Sequence, residues 1–268
     1  MSKRALITGA ASGLGLALAK RYAQAGYAIA VADLNLDKAE AAVAELGGSG
    51  AGHFAVAVDV GHDDSMAALA NSVATHWPEG FDVLINNAGV ATAGSVADSS
   101  LEDWDWVMNI NLMGVVRGMK TFVPMFKARK SGLILSTASY AALAGAPNIA
   151  SYGTSKAAVV AVSEMLRAEL VDHGIRVGVI CPSFFKTNLL DNARGDQRFK
   201  AVAGHLMETS NFTAADVAEY AFQAGEKGQF MIIPTGPERT RWRIKRWFPE
   251  YYFKQLMKFT RAMRVKTK

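Results

Sequence analysis

A chain of 268 residues, half of them hydrophobic and a fifth charged, with a formal net charge of +5, has the makeup of a soluble globular protein large enough for a substantial core. Its single cysteine, Cys181, excludes an intrachain disulfide and suits a reducing, cytoplasmic setting. No apolar run approaches the ~20 residues of a membrane span, and Ala5-Leu6-Ile7 is too short for the apolar region of a secretion signal.

In chain order, short β-branched or apolar runs predict strands over Arg4–Thr8, Ala28–Asp33, Phe54–Val58, Val83–Ile85, Leu133–Ser136, Ile175–Ile180 and Phe230–Ile233. Helical patterns lie between them, among others over Leu14–Gly26, Leu36–Leu46, Asp63–Trp77 and Asp103–Arg129. Thr213-Ala-Ala-Asp216 reads as a variant capping box opening a late helix. This alternation predicts an α/β fold: one doubly wound, Rossmann-type parallel sheet of about seven strands with helices on both faces. The expected division is a single domain over 1–237 and an appended tail over 238–268.

Thr8-Gly9-Ala10-Ala11-Ser12-Gly13-Leu14-Gly15 follows the first strand and opens the first helix. Glycines there let the backbone turn tightly and approach a pyrophosphate, while the helix N-terminus offers free N–H groups. The spacing is G-x-x-x-G-x-G rather than the commoner G-x-G-x-x-G. Asp33 closes the second strand, where a carboxylate accepts hydrogen bonds from the adenosine ribose and repels a 2′-phosphate. Leu34, Ala11 and Ser12 are not basic, so NAD is preferred over NADP.

Tyr152 and Lys156, four apart, share one helix face. A nearby ammonium is expected to lower the phenol's pKa, letting it trade protons with a substrate hydroxyl near neutral pH. A Tyr–Lys pair at this spacing is common by chance; its neighbours give it meaning. The five histidines, His53, His62, His76, His173 and His205, show no ligand spacing with one another or with Cys181, so no metal is expected. Cys181, at an apolar strand end, is expected to be inert.

Taken together these residues resemble the short-chain dehydrogenase/reductase family over roughly Lys3 to Pro234, in the family's order. The resemblance implies that Gly9, Ser12, Gly13, Leu14, Gly15 and Asp33 bind the dinucleotide and that Asp59-Val60 contacts adenine. It also implies that Asn87, Ala88 and Gly89, in Asn86-Asn87-Ala88-Gly89, steady the sheet beside the cofactor. Asn111, Ser139, Tyr152 and Lys156 match the family's catalytic set. Tyr152 then acts as general acid and base, Ser139 donates to the substrate oxygen, Lys156 also holds the nicotinamide ribose, and Asn111 binds a water linking Lys156 to solvent. Pro182, Phe185 and Thr187 match positions near the nicotinamide. Two departures stand out. Alanine precedes Ser139 where the family usually pairs serines, which leaves Ser136 structural. Ser183 replaces the glycine of the usual Pro-Gly, hinting at an altered backbone there. Phe184 and Phe185 either wall the nicotinamide or simply pack.

The implied reaction is NAD(P)-linked hydride exchange between alcohol and carbonyl. Segments Ser183–Phe212 and Leu143–Pro147 are expected to line the substrate. Their apolar content, including Leu189, Leu190, Phe199, Val202, Leu206, Met207 and Phe212, favours a lipophilic alcohol or carbonyl compound. The family resemblance also implies a homodimer or homotetramer. The tail is distinctive. From Glu238 onward it carries 11 Lys and Arg against 2 Asp and Glu, which leaves 18 basic and 22 acidic residues in the body. Over Glu250–Arg264 a helix would put Tyr252, Leu256, Phe259 and Met263 on one face and Lys254, Lys258 and Arg261 on the other. Such an element either lies on an anionic membrane surface or packs on the body or a partner subunit; nucleic acid is disfavoured because no binding motif accompanies it. The alternative to an enzyme is a non-catalytic dinucleotide-binding scaffold acting through this tail.

Overall fold

Along Arg4–Thr8 and Ala28–Asp33 successive side chains point to opposite faces, yet both faces are apolar and buried, as strands covered on both sides require. The computed structural model describes residues 2–266. Its strands are β1 (Arg4–Thr8), β2 (Ala28–Asp33), β3 (Phe54–Ala57), β4 (Val83–Asn86), β5 (Thr92–Ala93), β6 (Gly132–Thr137), β7 (Ile175–Ile180), β8 (Arg194–Gly195) and β9 (Met231–Ile232). Its helices are α1 (Gly13–Gln24), α2 (Leu36–Glu45), α3 (Asp63–His76), α4 (Leu101–Met108), α5 (Gly114–Arg129), α6 (Ala141–Ala144), α7 (Ala150–Leu170), α8 (Gln197–Glu208), α9 (Ala214–Glu226), α10 (Gly236–Trp247) and α11 (Pro249–Lys266).

Seven strands form one parallel sheet in the order β3-β2-β1-β4-β6-β7-β9. The order reverses between β1 and β4, and a crevice opens at such a switch point beyond the strands' C-terminal ends. Ala5, Ile7, Ile29 and Val31 face one core with α1, α2 and α9; Leu6, Ala28, Ala30 and Ala32 face the other with α3, α5 and α7. The expected doubly wound sheet is thus present, with boundaries shifted by a residue or two. The last strand is shorter than predicted, holding only Met231 and Ile232.

The predicted continuous helix Asp103–Arg129 is instead interrupted. A π-helical turn over Asn109–Met113 separates α4 from α5. Such a turn admits an extra residue and is frequent at functional sites. Gly114 follows it, and a methyl group there would come within 2.8 Å of Val60 Cγ2, so α5 lies close against that loop. The capping box on α9 forms as predicted: Thr213 N donates to Asp216 Oδ2 at 2.8 Å and Asp216 N to Thr213 Oγ1 at 3.2 Å.

The segment Ser183–Phe212, expected to line the substrate, contains the short strand β8 and the helix α8. β8 pairs in parallel with β5, and Gly94 bridges to Ile149. The tail forms two helices, of which α10 lay outside the sequence expectation. Tyr252 is buried against the body, Leu256 is half-buried, and Phe259 is exposed. The apolar face therefore packs only through its first turns, and the side chain of Met263 lies outside the described residues. Lys254, Lys258 and Arg261 face solvent. No described helix is long and apolar enough to cross a membrane.

Candidate active site

Every segment that builds the site leaves the C-terminal edge of the sheet. The glycine loop bridges β1 and α1 with Gly9 and Gly13 in the left-handed region, at φ +63° and +52°. A Cβ on Gly9 would meet the Ala88 backbone at 2.8 Å, and one on Gly13 would meet Thr187 Oγ1 at 2.9 Å. A Cβ on Gly15 would overlap the Gly9 carbonyl oxygen. The three glycines thus leave a cradle that side chains would fill, and it sits at the N-terminus of α1, where free N–H groups suit phosphate. Asp33 Oδ2 accepts from Ala11 N at 3.0 Å and Oδ1 from Asn35 N at 3.1 Å, which fixes the carboxylate at the cleft's edge.

Asn87 joins three strand ends. Its Nδ2 donates to the Thr8 and Gly9 carbonyls at 3.0 and 3.1 Å, and its Oδ1 accepts from Thr137 Oγ1 at 3.2 Å. Thr8 Oγ1 in turn accepts from the Asn87 and Ala88 amides. Asp59 caps its own turn by accepting from Gly61 N at 2.8 Å, and Val60 is buried beside it.

Asn111, brought inward by the π turn, is fully buried. Its Oδ1 accepts from Val90 N at 2.8 Å, and its Nδ2 donates to Val90 O at 3.0 Å and Ser155 Oγ at 3.1 Å. Lys156, also buried, donates to Thr137 O at 2.9 Å. Gly89 runs between them: a methyl group there would lie 3.0 Å from Asn111 Oδ1 and 3.2 Å from Lys156 Nζ. Ser139 Oγ accepts from Ala141 N at 3.1 Å, and its hydroxyl acts to lower the pKa of the Tyr152 phenol.

Contrary to the expected effect of Lys156, the Tyr152 phenol is raised, not lowered. Burial raises the Tyr152 phenol above its ordinary value, and the Ser139 hydrogen bond only partly offsets this. Burial also lowers the Lys156 ammonium to about 8. Helical spacing puts both on α7, but withdrawal from water, rather than the other's charge, is the largest cause of each shift. Cys181 is fully buried and burial pushes its thiol up to about 12, an unreactive setting.

These groups share one cleft of about 620 Å³. Gly9, Ser12, Gly13, Leu14, Gly15, Asp33, Asp59, Val60, Asn87, Ala88, Gly89, Ser139, Tyr152, Lys156, Pro182, Phe185 and Thr187 all line it; Asn111 stands directly behind. Ser183 lines it too, without a left-handed backbone, so the missing glycine forces no strain. Phe185 is buried in the core and Phe184 is more exposed, yet both reach the wall. Of the apolar residues expected around the substrate, Leu189, Leu190, Phe199 and Met207 line the cleft, whereas Val202, Leu206 and Phe212 do not. The sequence did not single out Ala91, Thr92 and Ala93, which roof the cleft, or Lys38, which lines it beside Asp33. For Lys38 a signal existed, since Asn35 caps the helix that starts after Asp33 and accepts from Lys38 N at 2.9 Å.

The cradle, the anchored carboxylate and the Ser139–Tyr152–Lys156 cluster fit a nicotinamide dinucleotide laid across the switch point. A family model described as short chain dehydrogenase matches residues 3–198. The chain belongs to the short-chain dehydrogenase/reductase family. It is 39% identical over 218 residues to a D-threitol dehydrogenase of Mycolicibacterium smegmatis, covering 80% of this chain and 82% of that protein. It is 36% identical over 191 residues to a C alpha-dehydrogenase of Sphingobium, covering 71% of this chain but only 63% of that longer relative. A short-chain dehydrogenase/reductase from Burkholderia phymatum, solved in complex with NAD, superposes with a TM-score of 0.85 at 30% identity, over 93% of this chain and 95% of that one. The family's chemistry is NAD(P)-dependent oxidoreduction of alcohol and carbonyl groups, which does not favour the non-catalytic scaffold.

Proposed function

We propose that this protein is an NAD-dependent alcohol dehydrogenase, reversible as a ketoreductase, acting on a lipophilic substrate with Tyr152 as general acid and base. The observation that carries the reading is the convergence of Ser139, Tyr152 and Lys156 at an apolar wall of the cleft that Asp33 also lines. Bound nicotinamide supplies the hydride acceptor or donor. Tyr152 takes the proton of the substrate hydroxyl in oxidation and returns it in reduction. Ser139 donates a hydrogen bond to the substrate oxygen. Lys156 holds the ribose, and Asn111 fixes the Val90 loop and the Ser155 hydroxyl beneath it. With its side chain committed to Val90 and Ser155, a water relay at Asn111 falls to its main chain. Asn87 keeps the glycine loop registered with β4 and β6.

NAD preference rests on Asp33, whose carboxylate repels a 2′-phosphate even with Lys38 nearby. Asp33→Ser should shift the balance toward NADP, read as the ratio of kcat/KM for the two cofactors. Lipophilicity rests on Val90, Ala93, Ile149, Leu190, Phe199 and Met207 in the lining, and a cyclohexanol dehydrogenase of Acinetobacter at 36% identity over 189 residues is in keeping with it. The deciding experiment is NADH formation across secondary and long-chain primary alcohols. Tyr152→Phe should retain NAD binding and lose turnover by orders of magnitude; undiminished turnover would sink the reading. Leu101 and Met165, exposed on the neighbouring helices α4 and α7, support a homodimer or homotetramer, which light scattering would measure. Trp247, Phe248, Tyr251 and Phe253 are exposed among basic residues, so the tail's outer side also suits an anionic lipid surface. Flotation with phosphatidylserine vesicles, with and without residues 238–268, tests that contact.

A further inference from the structure

We propose that Lys245 and Tyr252, in the basic tail, are positioning residues that brace the substrate wall and the Ser139 hydroxyl. The proposal rests on the reading of Ser139 and Tyr152 given above. Helix α6 is a single turn that begins two residues after Ser139, and its Ala141 and Ala144, with Ala146 beyond, line the cleft. A single turn leaves its last carbonyls without partners in the helix. Here the tail supplies them from far along the chain: Lys245 Nζ donates to Leu143 O at 2.6 Å, and Tyr252 OH donates to Ala144 O at 3.0 Å. Tyr252 is buried and Lys245 is half-buried. Tyr252 is 9% exposed, and burial holds the Lys245 ammonium below its ordinary value. Gly145 ends the turn at φ +66°, and a methyl group there would come within 3.3 Å of Lys245 Nζ, so the lysine lies directly against the wall. Tyr140, which also lines the cleft, carries a buried hydroxyl without a hydrogen-bond partner among the described residues.

The path to the chemistry is short. Ala141 N, at the start of α6, donates to Ser139 Oγ, and the Ser139 hydroxyl acts on the Tyr152 phenol, lowering its pKa. If α6 shifts, the wall opens and the serine loses its fixed acceptor geometry. The back of α6 is thus closed by a segment that follows the last sheet strand, and the tail's basic character serves the pocket as well as the surface.

Lys245→Met and Tyr252→Phe, singly and together in the full-length chain, test this with cyclohexanol and its 4-tert-butyl derivative as probes. The double variant should raise substrate KM or lower kcat roughly five- to tenfold, with the ratio between the two alcohols changed and the KM for NAD unmoved. Lys245→Arg, whose guanidinium still donates to Leu143 O, should recover most of the loss. Amide hydrogen exchange, which needs no turnover, should quicken in Ala141–Ala144 and stay unchanged in the glycine loop. Unchanged exchange in α6 would overturn the proposal, as would substrate kinetics within twofold of the parent or an equal rise in the KM for NAD. Retained turnover in Tyr152→Phe would instead overturn the underlying reading, so the two failures are distinct.

Discussion

Asn87 offers the sharpest test of how the sheet holds the dinucleotide loop. Its side chain makes three hydrogen bonds, to the carbonyls of Thr8 and Gly9 and from the Thr137 hydroxyl. At about 1 kcal/mol each, Asn87→Ala should cost about 3 kcal/mol, or a Tm lower by roughly 6–10 °C in calorimetry for a chain of this size. Asn87→Asp separates hydrogen bonding from packing. It keeps the shape but sets a carboxylate against two carbonyl oxygens, replacing two donors with repulsion, so it should be less stable than Asn87→Ala at pH 7. Those oxygens would raise the carboxyl's pKa in the folded state. A raised folded pKa contributes stability below the unfolded value, ~3.9, that is lost as pH rises. The deficit of Asn87→Asp should therefore shrink as pH falls from 7 toward 4. Both variants should weaken NADH binding in fluorescence titration, because Gly9 is one of the two carbonyl partners. Parental stability of Asn87→Asp at pH 7 would refute this account.

Gly195 sits at φ +92°, and a Cβ there would overlap the Ala93 carbonyl oxygen; Gly195→Ala should part β8 from β5 and raise substrate KM severalfold while NAD affinity stays unchanged. Cys181 should resist iodoacetamide in the native protein and react after denaturation, and rapid native labelling with retained activity would show it is not buried as described. Because burial raises the Tyr152 phenol, the phenolate that oxidation requires becomes commoner as pH rises, whereas the protonated phenol that reduction requires is already present at neutrality. The kcat/KM for alcohol oxidation should therefore climb from pH 7 to 9 while that for carbonyl reduction stays flat; a flat oxidation profile would contradict the shift.

What the sequence showed and what it hid divide by distance along the chain. The glycine loop, Asp33 and the cap Thr213–Asp216 are local devices, and each lies within one turn or one strand-to-helix junction. The break in the helix over Asp103–Arg129 was hidden because it depends on Asn111 bonding Val90 and Ser155, 21 and 44 residues away. The roof was hidden for the same reason: Thr92-Ala93 is too short to read as a strand without Arg194-Gly195 beside it. For α8 a local signal did exist, since Phe199, Ala203 and Met207 recur at helical spacing behind Asp196, whose carboxylate accepts from Arg198 N at 2.8 Å. The tail's contacts with Leu143 and Ala144 span 102 and 108 residues. Amphipathicity alone could say that one side of α11 was apolar but not what it would meet.

The sign of the Tyr152 shift depends on something a sequence does not carry. Four-residue spacing brings an ammonium near a phenol, and in water that proximity favours the phenolate. In the folded protein Lys156 is buried and gives a hydrogen bond to Thr137 O, so the positive charge is itself costly to keep. Withdrawal from water lowers the amine and raises the phenol, so burial disfavours the charged form of each. Among the described residues, Ser139 is the side chain that lowers the Tyr152 value. The geometry of α6, which holds Ser139 through Ala141 N, therefore bears on the Tyr152 phenol by way of Ser139.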